Sequence, residues 1–156
     1  MLTSTTSLPP GHTETWQLNH ELSLRNAPGS VPHSRHYVTG TLENWNFRGQ
    51  ILDDAKIVTS GLVTNAYRAC QRDRTVRLCQ VRPMTLVVRS NFTAIVVEVH
   101  DPTDELPQLR DPQFPADGIL LPGGGWGLKL VSLLTESWGF YRTDGGKAVW
   151  ASFTRY

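Results

Sequence analysis

The chain has 156 residues and nearly balanced charge, with 15 basic and 14 acidic residues and a formal net charge of +1. Its hydrophobic fraction of 39% and charged fraction of 19% suit one globular domain with one core. The balanced charge argues against direct binding of nucleic acid, and no apolar run is long enough to cross a membrane. Two cysteines, Cys70 and Cys79, match no metal-binding or redox spacing and indicate a reducing, cytoplasmic setting.

The first fourteen residues are rich in Thr, Ser and Pro and predict a disordered tail, so we expect a single domain over residues 15–156. Within that domain, apolar residues alternate in some segments, which is typical of strands, and recur every three to four residues in others, which is typical of helices. In chain order the predicted elements are a strand over 16–24, helices over 34–45 and 53–69, strands over 84–88 and 95–99, a helix over 128–134, and strands over 137–142 and 147–153. Turn residues at Asn91 and over 144–146 predict two hairpins, and the element order predicts an α+β fold.

Three segments carry residue types that suit nucleotide chemistry. Asn65 lies in the apolar part of the second helix, where an amide needs a partner such as a metal-bound phosphate or a neighbouring loop. Asp101 ends a strand, where its carboxylate either accepts a hydrogen bond from an exocyclic amine or starts a turn before Pro102. The glycine-rich segment 122–127 leads into a helix whose free amides suit an anion, and it equally suits a flexible hinge.

The segment between the third predicted strand and the third predicted helix is unusually long. Residues 102–124 contain repeated prolines and end in consecutive glycines. A loop of this length in a compact domain is usually functional, so we expect a mobile lid.

These segments, in this order, resemble the anti-sigma factor serine kinases, a family of the histidine-kinase-like (GHKL) ATPases. Segments 53–66, 97–102 and 125–131 resemble the Asn box, the adenine-binding box and the phosphate loop of that family. Residues 34–45 and 138–151 resemble its first helix and its closing strands. The resemblance implies a two-layer α/β sandwich, in which one mixed sheet is covered on one face by three helices.

The resemblance also implies a role for each matching residue. Asn65 would coordinate Mg²⁺ that bridges the phosphates of ATP, and Asp101 would accept a hydrogen bond from the adenine amino group. The phosphate oxygens would be held by Gly123, Gly124, Gly125, Gly127 and Leu128. Members of the family bind a sigma factor, phosphorylate a STAS-type anti-anti-sigma protein and form homodimers, so we expect these partners.

The sequence departs from the family at two positions that bear on activity. Gly61 stands where the family places its catalytic Glu, one turn before Asn65, and general-base help is typically worth about 10²–10⁴-fold. Ala148 stands where the family has a Thr that helps to bind adenine, and Asp54 or Glu98 would have to replace the missing base. The sequence therefore predicts an ATP-binding, anti-sigma-type regulatory protein with weak or absent kinase activity and no assigned catalytic residue. The alternative is an active serine/threonine protein kinase.

Overall fold

The computed structural model of the protein describes residues 6–10, 16–72, 82–107 and 126–154. The elements follow the predicted order, and their boundaries lie within a few residues of the predicted ones. Within these residues the helices and strands are β1 Leu18–Leu24, α1 Ser30–Asn44, α2 Gln50–Arg72, β2 Met84–Ser90, β3 Ala94–Asp101, α3 Trp126–Leu134, β4 Ser137–Thr143 and β5 Gly146–Thr154.

The first two helices begin earlier than the apolar pattern indicated. α1 begins at Ser30 because its first turn accommodates Pro32, whose missing N–H needs no partner there. Ser30 Oγ donates a hydrogen bond to the Arg25 carbonyl oxygen at 2.5 Å, which ties the helix to the end of β1. α2 begins at Gln50, whose Nε2 donates to Asp54 Oδ1 one turn later at 2.9 Å.

The five strands form one sheet in the order β1-β2-β3-β5-β4, and every neighbouring pair is antiparallel. The predicted two-layer α+β fold is confirmed, while the sheet is antiparallel where a mixed sheet was expected. Short hairpins make two of its four pairs antiparallel, β2 with β3 and β4 with β5. In the first hairpin, Asn91 Oδ1 accepts the backbone N–H groups of Thr93 and Ala94 at 2.9 and 2.8 Å. The predicted turn residue therefore closes the turn with its own side chain.

The three helices share one buried core with one face of the sheet. Along β3, the alternate residues Ile95, Val97 and Val99 are buried in the same cluster as apolar residues of α1, α2 and α3. α2 lies between the other two helices and also contacts β3 and β5. The same alternation places Asp101 on the helix-facing side and Glu98 on the outer face. Among the described residues, no helix is both long and apolar enough to cross a membrane.

Part of the predicted tail lies against the edge of the sheet. Thr6 forms a parallel bridge with Phe140 of β4, and Ser7 N donates to Phe140 O at 2.8 Å. Trp150 Nε1 donates to Ser7 O, also at 2.8 Å. Thr6 and Ser7 are thus attached to the sheet. Residues 1–5 and 11–14 lie outside the described part, and the domain boundary stays a prediction.

Candidate functional site

β3 ends at Asp101, and the register of the sheet decides which residue stands beside it. Asp101 pairs with Lys147 at the start of β5, and paired residues of neighbouring strands point to the same face. Ala148, where the sequence pattern placed the adenine-binding threonine of the resembling family, pairs with His100 and points to the outer face. The closing-strand residue beside Asp101 is therefore Lys147 and not Ala148.

Lys147, Asp101 and Thr103 form a buried group that we call the Lys147 cluster. The Lys147 Nζ lies 2.9 Å from Asp101 Oδ2 and 3.0 Å from Oδ1, and the two side chains are 1% and 0% exposed. The Thr103 backbone N–H and hydroxyl donate to Asp101 Oδ1 at 2.9 and 2.6 Å. Lys147 Nζ also donates to Thr103 Oγ1 at 2.8 Å. The ion pair is therefore supported by a threonine that bonds to both of its members.

The two carboxylate oxygens of Asp101 are used unequally. Oδ1 accepts three hydrogen bonds, whereas Oδ2 is buried and accepts none, because Nζ approaches it without hydrogen-bonding geometry. The Oδ1 bonds match the interpretation of Asp101 as a turn residue. Oδ2, which the Lys147 ammonium approaches without a hydrogen bond, matches its interpretation as an acceptor for an amine. A Cβ on Gly146 would overlap Asp101 O and Pro102, so glycine lets β5 start this close to the site.

Asn65 lies on α2, which has β3 on one side and α3 on another. Its side chain is half-buried, and its Nδ2 is buried and has no hydrogen-bond partner among the described residues. Buried amide groups without a partner are uncommon in folded proteins. The interpretation of Asn65 as the cap of a neighbouring loop thus gains no support from the described residues, and the side chain suits a site that a ligand completes.

Gly61 lies one turn before Asn65 and is buried against α3. A Cβ at Gly61 would lie 2.7 Å from Gly127 O and 3.0 Å from Val131 Cγ2. The first distance is shorter than van der Waals contact allows, and a backbone carbonyl cannot turn away as the end of a side chain can. The two glycines let α2 and α3 cross closely, so no side chain fits at position 61 unless α3 moves.

The start of α3 supplies part of the predicted phosphate site. Because α3 begins at Trp126, the backbone N–H groups of Gly127 and Leu128 lie in its first turn and have no partner within the helix. Gly127 contacts Gly61, which lies one helical turn before Asn65 on α2. The first turn of α3 therefore lies close to Asn65. The other predicted phosphate ligands, Gly123, Gly124 and Gly125, and most of the predicted lid over 102–124 lie outside the described residues.

Glu98 is buried on the outer face, in a second group that we call the Glu98 cluster. Tyr141 OH donates to Glu98 Oε1, His100 Nε2 lies 2.5 Å from the same oxygen, and Arg89 Nη1 lies 3.5 Å from Oε2. Burial alone would raise the pKa of Glu98, but the bonds from His100 and Tyr141 and the nearby charges outweigh burial and lower it. Burial and the bond to Glu98 raise the pKa of Tyr141. The cluster faces away from Asn65.

A cavity of about 740 Å³ lies at the other end of the domain. Its lining includes Ile51 near the start of α2 and Phe153 near the end of β5. Asn65 and Asp101 are not among the residues that line it, so this cavity is separate from the predicted nucleotide site.

Sequence reasoning missed Lys147 and Thr103. A signal for Lys147 was present, because Lys147 heads the row of β5 residues that continues through Val149, Ala151 and Phe153 toward the core. A lysine at the head of an apolar row indicates a buried partner for its charge. Thr103 carried no comparable signal, since its role depends on the path of the chain after β3.

The described residues suit an adenine nucleotide. Among the described residues, Asp101 Oδ2 is a buried acceptor without a hydrogen bond, and Asn65 Nδ2 is a buried donor without a hydrogen-bond partner. No group of three or more His, Cys, Asp or Glu side chains that could hold a metal ion occurs within the described ranges. A Mg²⁺ ion held by Asn65 would therefore depend on phosphate and water oxygens for its other ligands, as this ion commonly does in nucleotide sites.

The family model of the histidine kinase-like ATPase domain matches residues 24–153, which is most of the chain. The chain therefore belongs to the histidine kinase-like ATPase domain family, and it is an ATP-binding domain of that family. The five-stranded antiparallel sheet and three helices of the described residues agree with this family. Comparison with curated proteins gave no match.

Proposed function

We propose that the protein is an ATP-binding regulatory domain of the anti-sigma type, which transfers phosphate weakly or not at all. In this proposal the domain acts as a homodimer and switches between a sigma factor and a STAS-type anti-anti-sigma protein. Two features of the site support the proposal: the residues that it shares with the resembling kinases, and the carboxylate that it lacks. It keeps Asn65, Asp101 and the first turn of α3, and it lacks a carboxylate one turn before Asn65.

The contact between Gly61 and Gly127 carries the proposal. In the kinases that the sequence resembles, the residue at this position takes the proton of the attacking hydroxyl group. Here the Gly127 carbonyl oxygen fills the space that a side chain on Gly61 would need. Loss of a general base slows a reaction by about 10²–10⁴-fold, while groups that bind phosphate can stay in place. A domain that binds ATP without rapidly consuming it suits a partner switch.

Neither of the two alternative carboxylates stands near Asn65. Glu98 lies on the outer face of the sheet and is bonded to Tyr141 and His100. Asp54 precedes Asn65 by about three turns of α2, or about 16 Å, and lines the cavity at the other end of the domain. The interpretation as an active kinase therefore gains no support from these residues.

Each retained residue has one task in the proposed site. Asp101 Oδ2 accepts the adenine amino group, and Asn65 holds the metal ion. The N–H groups of Gly127 and Leu128, at the positive end of the α3 dipole, attract phosphate oxygens. Bound ATP would supply the phosphoryl group. Its phosphates and Mg²⁺ would supply the charges that Asn65 and the N–H groups of α3 contact.

Calorimetry with ATP and Mg²⁺ tests the proposed site. Asn65→Ala should weaken ATP binding by about ten- to a hundredfold, because a bond to a charged group contributes about 1.5–3 kcal/mol. It should also remove the dependence of ATP affinity on Mg²⁺. Asn44→Ala, at an exposed position at the end of α1, is the matched control and should bind like wild type. Unchanged, Mg²⁺-dependent binding to Asn65→Ala would show that Asn65 is not the metal ligand.

A further inference from the structure

Lys147 stands in a row of β5 that otherwise holds buried apolar side chains. The row continues through Val149, Ala151 and Phe153. A lysine is almost never fully buried unless its ammonium group is paired. The partner here is Asp101, the carboxylate that the proposed function assigns to adenine.

The Lys147 ammonium occupies the carboxylate that a nucleobase would need. The Lys147 Nζ donates to Asp101 Oδ1 and to Thr103 Oγ1, and it lies 2.9 Å from Oδ2. Oδ2 is the remaining acceptor, and it is closed to solvent. The amino group of adenine is also a donor, but it is neutral. Because hydrogen bonds between charged groups are the stronger ones, a neutral amine does not readily displace the ammonium.

We propose that Lys147 is an intramolecular competitor for the adenine site, because its ammonium occupies Asp101 until the Lys147–Asp101 pair opens. This inference rests on the proposed nucleotide site. The measured affinity for ATP is then the affinity of the open form, reduced by the fraction of molecules in which the pair is open. Lys147 thereby sets how tightly the domain binds adenine nucleotides, and an event that moves β5 or Thr103 changes that affinity.

The substitution Lys147→Thr tests the competitor directly. Threonine is the residue that the resembling kinases use beside adenine, and it leaves Asp101 without an ammonium partner. By calorimetry with Mg²⁺, Lys147→Thr should bind ATP at least about tenfold tighter than wild type, as expected for a pair that is open in a tenth of the molecules or fewer. Inosine triphosphate has an oxygen in place of the amino group, so its affinity should rise clearly less.

The control is Lys56→Thr, which makes the same change of charge at an exposed position on α2. Its ATP affinity should equal that of wild type. Unchanged or weaker ATP affinity in folded Lys147→Thr would overturn the inference, and so would equal gains for ATP and inosine triphosphate. In either case, loss of ATP binding in Asn65→Ala would still uphold the proposed site. Absence of ATP binding to wild type and to Lys147→Thr would overturn both.

A measurement on the wild-type protein does not depend on whether Lys147→Thr folds. The buried ammonium of Lys147 should give a ¹H–¹⁵N signal that exchanges slowly with water, and Lys147→Arg identifies it by its loss. Saturating ATP should abolish this protected signal, because the pair must open when adenine reaches Asp101. A protected signal that persists unchanged in the ATP complex would overturn the inference.

Discussion

Asp101 and Glu98 lie three residues apart on β3, and both are buried, but they face opposite sides of the sheet. Asp101 faces the helices and is bonded by Lys147 and Thr103, which lie at the start of β5 and in the turn after β3. Glu98 faces outward and contacts side chains of β2, β3 and β4. In each carboxylate one oxygen accepts no hydrogen bond, and a cation lies beside it.

The two carboxylates differ in the number of side chains and strands that they hold together. Glu98 joins three strands through Arg89, His100 and Tyr141, so its loss removes the centre of a network. Among the described residues, Asp101 has a single cationic partner, Lys147. Burial alone thus does not identify a functional carboxylate. The side of the sheet and the number of elements that a carboxylate holds together separate a stabilising role from a binding role.

The substitution Glu98→Ala should give the largest effect on stability. Removing one member of a buried charged network typically costs about 3–5 kcal/mol, because the remaining charge is left without compensation. Urea denaturation should therefore show a loss of this size, while ATP affinity of the folded fraction stays at the wild-type value. A loss of stability below about 1 kcal/mol would contradict the assigned role.

Two further comparisons sharpen this prediction. Glu21→Ala, at an exposed position on β1, should change stability by no more than about 0.5 kcal/mol. The pKa of Glu98 is lowered from 4.5, so its contribution is present above that pH and is lost as pH falls through the folded-state pKa. The stability difference between wild type and Glu98→Ala should therefore shrink in acid. A difference that stays constant down to acid unfolding would argue against an ionised Glu98.

A pair of glycine substitutions tests the packing on the helix-facing side, with a smaller expected effect. Gly61→Ala should destabilise the protein by about 1–3 kcal/mol, because its Cβ would lie 2.7 Å from Gly127 O. Gly40→Ala in α1 meets nothing within 4 Å and should stabilise the protein by about 0.5–1 kcal/mol. Thermal unfolding of the two variants should thus shift in opposite directions. Stabilisation by both would mean that α2 and α3 do not cross as closely as described.

Local patterns predicted the elements of this fold well. Period-two alternation located β1, β2 and β3, and the turn residues over 144–146 indicated β4 and β5. Asn91 marked a hairpin that its own side chain closes. The order of strands in the sheet and the antiparallel pairing of β3 with β5 were beyond these patterns, because they depend on contacts between distant segments. The ion pair of Lys147 with Asp101 was missed for the same reason, since one residue of register decides which side chain stands beside Asp101.

Motifs in the sequence identified residues of the candidate site, but they did not predict the burial and hydrogen bonding of the side chains. Asn65 and Asp101 were identified from motifs, and the structure adds that each has a buried polar atom without a hydrogen bond. Gly61 was recognised as a missing base, yet its close contact with Gly127 could not be foreseen, because the sequence does not specify how two helices cross. That contact leaves no room for a Cβ at position 61 unless α3 moves.

The fate of bound ATP tests the central claim most directly, namely that the domain binds ATP without efficient transfer. Protein in excess over γ-labelled ATP, with Mg²⁺ and a STAS-type acceptor protein, is quenched at intervals and its label is followed. We expect transfer slower than about 0.01 s⁻¹. This value is a low kinase rate of about 1 s⁻¹, reduced about a hundredfold by loss of the base. Transfer to the acceptor at about 1 s⁻¹ or faster would contradict the account and identify an active kinase.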